Sequence, residues 1–139
     1  MGFFDKFSST VELNPAIALA GSMIYIMASD GELAEEEMHY LASTLQSFGD
    51  PQELVDSAYK YSKKKDLETF QKEANEVLNH DQKMTVLANL IDLLLSDGRA
   101  EEEEQDLFFS FVHAFGVSED EIQPFIDIIS IKNDFAVFL

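Results

Sequence analysis

Ser29-Asp30-Gly31-Glu32-Leu33-Ala34-Glu35-Glu36-Glu37 recurs as Ser96-Asp97-Gly98-Arg99-Ala100-Glu101-Glu102-Glu103-Glu104, a constant 67 positions downstream. The same offset lays Ile24 on Ile91, Ser43 on Ser110 and Phe48-Gly49 on Phe115-Gly116. Self-similarity at one fixed period restricts the fold to architectures that give both copies equivalent surroundings. The repeat covers about residues 15–49 and 82–116. Each copy reads as an apolar helix, an Asp-Gly corner and a second helix that opens on glutamates, so the expectation is two pseudo-symmetric helical-hairpin halves.

The remainder of the chain also reads as helix. Asn14 followed by Pro15 is a start signal, and Ile17, Leu19, Ala20, Met23, Ile24, Ile26 and Met27 are apolar nearly all round, as in a buried central helix. Its counterpart carries Val86, Leu87, Leu90, Ile91, Leu94 and Leu95, with Asp81 expected to open it. The second-type helices, about 34–47 and 101–114, show the spacing of one buried face (Met38, Leu41, Leu45; Leu107, Phe108, Phe111, Val112). Asp50-Pro51, Asp66 and the capping-box sequence Ser118-Glu119-Asp120-Glu121 open three more. No alternating strand pattern is present. The expected fold is all-α, a bundle of about seven helices in a single domain spanning 1–139. The tails, with Phe3, Phe4 and Phe7 at one end and Phe135 to Leu139 at the other, are expected to pack on it, with dimer contact or peripheral membrane attachment as alternatives.

Composition removes several function classes. The chain has no cysteine, which excludes disulfides, thiolate catalysis and sulfur-rich zinc sites. A formal charge of −18 opposes nucleic-acid phosphates and anionic lipid, and favours divalent cations or a basic protein partner. Five of the nine cations (Lys60, Lys63, Lys64, Lys65 and Lys72) fall within thirteen residues and form one basic patch. No apolar run reaches the roughly 20 residues that span a bilayer, and no secretory leader is visible. The expectation is a cytoplasmic protein, monomeric or weakly dimeric. His39, His80 and His113 show no paired spacing for metal or triad chemistry and are expected to be structural or surface residues. There is no phosphate-binding loop. The chain does not read as an enzyme.

The corner itself has a plain explanation: acidic residues in a first helical turn complement the macrodipole, and Gly stops the preceding helix. Duplication adds a second one. If the halves pack about a pseudo-twofold axis, Asp30, Glu37, Asp97 and Glu104 surround one point, with Glu36 and Glu103 as accessory groups. Clustered carboxylates repel and raise one another's pKa. A hard cation relieves that repulsion, and oxygen-only ligation suits Ca²⁺ or Mg²⁺ better than Zn²⁺. Gly31 and Glu37, like Gly98 and Glu104, match the sixth and twelfth positions of an EF-hand loop. The first and third positions would be Ile26 and Ala28, or Leu93 and Leu95, which are core residues, so neither copy is an EF-hand.

Two helical halves, each with an Asp-Gly corner and Glu seven residues on, resemble the tellurite-resistance TerB family. The opening Met1-Gly2-Phe3-Phe4-Asp5-Lys6-Phe7 is similar to starts seen in that family, whose fold also forms the cytoplasmic domain of a membrane-anchored DnaJ-like cochaperone. The resemblance covers essentially the whole chain. It implies a seven-helix bundle, a non-enzymatic role in tellurite and other chemical stress, and a metal site at Asp30, Glu37, Asp97 and Glu104. It also implies association with membrane partners such as TerC proteins at the cytoplasmic face of the inner membrane. The second copy departs from the first at Ala100, where Leu33 is aliphatic, and at Arg99, which replaces Glu32. A different reading of the same residues is an acidic interaction module that docks a basic or membrane-protein partner without metal.

Overall fold

The computed structural model describes residues 12–29, 33–96 and 101–139. Among these, the chain forms seven α-helices: α1 (Pro15–Met27), α2 (Glu35–Thr44), α3 (Pro51–Lys64), α4 (Leu67–Val77), α5 (His80–Leu95), α6 (Glu102–Ala114) and α7 (Glu119–Lys132). Short 3₁₀ turns follow α2 (Gln46–Phe48) and α7 (Phe135–Phe138), and no strand occurs among the described residues. At the offset of 67, α1, α2 and α3 begin and end within three residues of α5, α6 and α7.

The helix starts follow local chemistry. Asn14 Oδ1 accepts the Ile17 N–H at 2.9 Å, and Pro15 fills the first helical position, where its missing N–H has no intrahelical partner to lose. Asp50 accepts from Gln52 and Glu53, and Asp66 accepts from Thr69 at 2.8 Å. Two expectations need correction. The fifth helix is opened by Asn79, not Asp81: Asn79 accepts the Gln82 N–H at 2.8 Å while Gln82 reaches back to the Asn79 N–H at 2.9 Å. Asp81 lies inside the first turn, where its charge still suits the dipole. Ser118 caps α7 through the Glu121 N–H at 3.1 Å, but the Glu121 carboxylate approaches His80 at 3.0 Å, so it is the Ser118 arm of the predicted capping box that forms.

The core is built on α1, which contacts α2, α3, α4, α5 and α6. Every residue from Ile17 to Met27 except Tyr25 is buried, as the all-round apolar pattern predicts. Each fully buried large aliphatic or aromatic side chain contributes about 1.5–3 kcal/mol relative to exposure. α5 is the second axis, packed on α1, α6 and α7. Against α1 and α6, α4 inserts Phe70, buried and ringed by Tyr25, Tyr61 and Phe111 with centroids 4.9, 6.0 and 6.5 Å away. Gly21 makes room for that ring: a Cβ there would lie 2.7 Å from two Phe70 ring atoms.

The C-terminal tail does not pack as expected. Phe135, Val137, Phe138 and Leu139 are exposed, as are Ile128 and Ile131 on α7. The inward face of α7 is already filled by Ile122, Phe125, Ile126 and Ile129. Phe3, Phe4 and Phe7 lie outside the described residues.

Candidate acidic site at the paired corners

The C-terminal ends of α1 and α5 and the first turns of α2 and α6 converge on one cavity of about 310 Å³. Its walls are Ile26 and Met27, Leu93 and Ser96, Glu36, Glu37 and Tyr40, and Glu104. Glu37 and Glu104, one from each copy of the repeat, therefore share a single space. Glu36 joins them, whereas Glu103 is exposed and does not line the cavity. Asp30 and Asp97 lie outside the described residues; their neighbours Met27 and Ser96 stand at the cavity wall. Among the described residues, no three Asp, Glu or His side chains are close enough together to hold a metal ion.

Both shared glutamates also cap their own helices. The Ala34 N–H donates to Glu37 Oε1 at 3.0 Å, and the Glu101 N–H donates to Glu104 Oε1 at 3.3 Å. Ala34 has no side-chain acceptor, so in α2 it is the glutamate arm of a capping box that forms. One oxygen of each carboxylate is thereby tied to a helix start, which holds the side chain at the cavity edge. The oxygen donors that line the space are carboxylates and hydroxyls, a set suited to hard cations, and beside them stands the Met27 thioether, with no thiolate or imidazole among the described walls. Ile26 is buried, and Leu93 and Leu95 pack against the core, which places the would-be EF-hand ligand positions in the apolar interior.

Tyr40 and Asp92 extend the site in a way the sequence reading missed. Tyr40, one turn beyond Glu36 and Glu37 on the same helix, donates its hydroxyl to Asp92 Oδ2 at 2.8 Å. Asp92 also accepts from Lys132 Nζ at 3.0 Å and Asn133 Nδ2 at 2.9 Å. Burial pushes the Asp92 carboxyl up, but the bonds from Asn133, Lys132 and Tyr40 outweigh it and hold it below the usual carboxylate range. Burial and the Asp92 partner push the Tyr40 hydroxyl up to about 12, so it remains a donor at neutral pH. The signal available in the sequence was the spacing of Glu36, Glu37 and Tyr40, at three and four residues on one helix face.

The three histidines are exposed and do not line this cavity, although His39 precedes Tyr40 in α2, and each stands beside a glutamate: His39 by Glu35, His80 by Glu121 and His113 by Glu119. Lys65, part of the basic patch, lies over the Tyr61 ring and pairs with Glu73 at 3.4 Å, while Lys63 lies over Tyr59. A larger cleft of about 410 Å³, lined by Tyr25, Leu33, Tyr59, Lys63 and Leu107 among others, has no carboxylate among its described walls. No described helix is long and apolar enough to cross a membrane.

A family model described as tellurite resistance protein TerB matches residues 16–125, from the second residue of α1 to the middle of α7. No curated protein and no solved structure matches the chain significantly.

Proposed function

The chain belongs to the TerB family of tellurite resistance proteins, and on that premise we propose that it holds a divalent cation between its two corners and works as a non-enzymatic adaptor in chemical stress. Ca²⁺ or Mg²⁺ is the expected ion, since the donors are oxygens. The ligands are Asp30, Glu37, Asp97 and Glu104, with Glu36 beside them. The observation that carries this reading is that Glu37 and Glu104 line one cavity, at the C-terminal ends of the two central helices. Those helix ends carry partial negative charge, which adds to the attraction for a cation. The adaptor role places the protein in the cytoplasm, against a membrane partner of the TerC type.

Calorimetry with Ca²⁺, Mg²⁺ and Zn²⁺ tests the site. Wild type is expected to bind Ca²⁺ or Mg²⁺ with millimolar or tighter affinity, and Asp30→Asn with Asp97→Asn is expected to abolish it. An ion that binds only the folded chain raises the melting temperature, by an equivalent of about 2.7 kcal/mol at a hundredfold excess over Kd. Absence of heat and of any melting shift for all three ions would sink the proposal. A second reading is favoured by the capping bonds: Glu37 and Glu104 already serve their helix starts. On that reading the acidic corner is a docking surface for a basic partner, and partner capture persists in chelator.

A further inference from the structure

We propose that the outward face of α7, together with the turn that follows it, docks a basic amphipathic helix of a partner protein. This deepens the adaptor part of the reading above and is independent of whether the corners bind metal. α7 is apolar on two sides. Ile122, Phe125, Ile126 and Ile129 face the core, while Ile128 and Ile131 are 65% and 76% exposed, and Phe135 and Phe138 in the turn that follows are 68% and 84% exposed. Contiguous exposed apolar side chains rimmed by polar groups mark interaction surfaces.

The segment carrying this surface is held in place. Asn133 closes α7 by donating to the Ile129 carbonyl at 3.2 Å, and Asp92 grips both Asn133 and Lys132. The Phe135 N–H then donates to the Asn133 carbonyl at 3.1 Å. A fixed patch loses less ordering entropy on binding.

The other half of the molecule shows that the fold itself does not call for this apolar face. α3 and α7 begin and end 68 positions apart, which sets Tyr61 against the core-facing Ile129, and Ile128 and Ile131 against Lys60 and Lys63, both exposed. Isoleucine on this outward face is therefore particular to α7.

Charge selects the partner. Asp127 and Asp134 are exposed beside the apolar stripe, and Lys132 is already paired with Asp92. A lysine-flanked helix meets this rim favourably, whereas a second copy of a chain with charge −18 is repelled.

The test uses the full chain and two labelled synthetic helices, one with leucine and lysine and one with leucine and glutamate, followed by fluorescence anisotropy. The lysine helix is expected to bind and the glutamate helix to bind at least tenfold more weakly. Ile128→Asp with Ile131→Asp is expected to weaken the lysine helix at least tenfold, although it adds two negative charges that would strengthen purely electrostatic attraction. Phe135→Asp with Phe138→Asp provides an independent pair should the first perturb α7. Unchanged or tighter binding in both pairs would overturn the proposal, as would equal binding of the two helices. Three further results would also overturn it by reassigning the face. A wild-type dimer in sedimentation that the variants abolish assigns it to a second copy, and selective adhesion to phosphatidylglycerol vesicles assigns it to a membrane. A rise in peptide affinity on Phe3→Ser with Phe7→Ser assigns it to the chain's own N-terminal residues.

Discussion

Tyr25 in α1 and Asp92 in α5 occupy the same position at the offset of 67, and each ties a central helix to the end of the third helix of its half. They do so with opposite polarity. Tyr25 donates its hydroxyl to the Ser62 and Lys65 carbonyls at 3.1 and 2.8 Å, directly satisfying acceptors at the end of α3. Asp92 accepts from Lys132 and Asn133, and Asn133 in turn satisfies the Ile129 carbonyl. The first arrangement is a neutral donor on backbone. The second is a charged acceptor on side chains, and it draws in Tyr40 from the acidic cavity. Duplicated geometry has therefore kept a mechanical task while its chemistry diverged, and only the second half connects the corner to the C-terminal patch.

The largest expected difference between the halves lies where α4 meets α1. Phe70→Ala should lower unfolding free energy by about 3–5 kcal/mol in urea titration, because the ring is buried among three aromatics. Gly21→Ala should cost about 1–3 kcal/mol by overpacking against the same ring. At the counterpart of Gly21, Ala88→Gly should cost only about 0.5–1 kcal/mol of helix propensity. Equal effects at Gly21 and Ala88 would show that the two seats are alike after all.

Next in size is the polar tie. Asp92→Asn should cost about 1.5–3 kcal/mol, the range for hydrogen bonds to a charged group, and Tyr25→Phe about 1 kcal/mol. The two ties should also separate by pH. Asp92 has a folded pKa below its unfolded value, so its contribution is complete above the unfolded pKa of about 4 and is lost as pH falls through the folded one. Tyr40 has a folded pKa raised to about 12, so its contribution is complete below about pH 10 and is lost as pH rises through the folded value. Melting curves from pH 7 to pH 2 should show the Asp92→Asn chain losing less stability on acidification than wild type. A parallel fall would remove Asp92 as the acid-sensitive tie.

The smallest contrast is at the paired glycines. Gly116 has φ +69° and sits in a helix-ending motif in which Val117 and Gly116 donate to the Val112 and His113 carbonyls. Asn adopts that left-handed region, so Gly116→Asn should cost well under about 1 kcal/mol. Gly49 has φ +99° and ψ −114°, a region open essentially to glycine, and Gly49→Asn should cost about 1–3 kcal/mol. Similar melting shifts for the two would mean that Gly49 relaxes into the Gly116 geometry.

Most of the helices were legible because their information is local. Caps at Asn14, Asp50, Asp66 and Ser118 are short-range hydrogen bonds, and the all-round apolar run of α1 leaves burial as its stable state. The repeat was legible as well, and with it the expectation that Glu37 and Glu104 belong together. Other features depended on distance through space. Glu121 left its capping box for His80, which is 41 positions away in sequence, whereas Asn79 and Gln82, which open α5 in place of Asp81, form a local capping box that the sequence already carried. Tyr40 entered the site through Asp92 in another helix. Local spacing and capping determined which segments are helices, and the duplication determined that two acidic corners exist. Only tertiary packing decided that Glu37 and Glu104 line one cavity, and that Ile122 of α7 is buried while Ile128 and Ile131 stay exposed, because both follow from how the helices stack and not from any one segment.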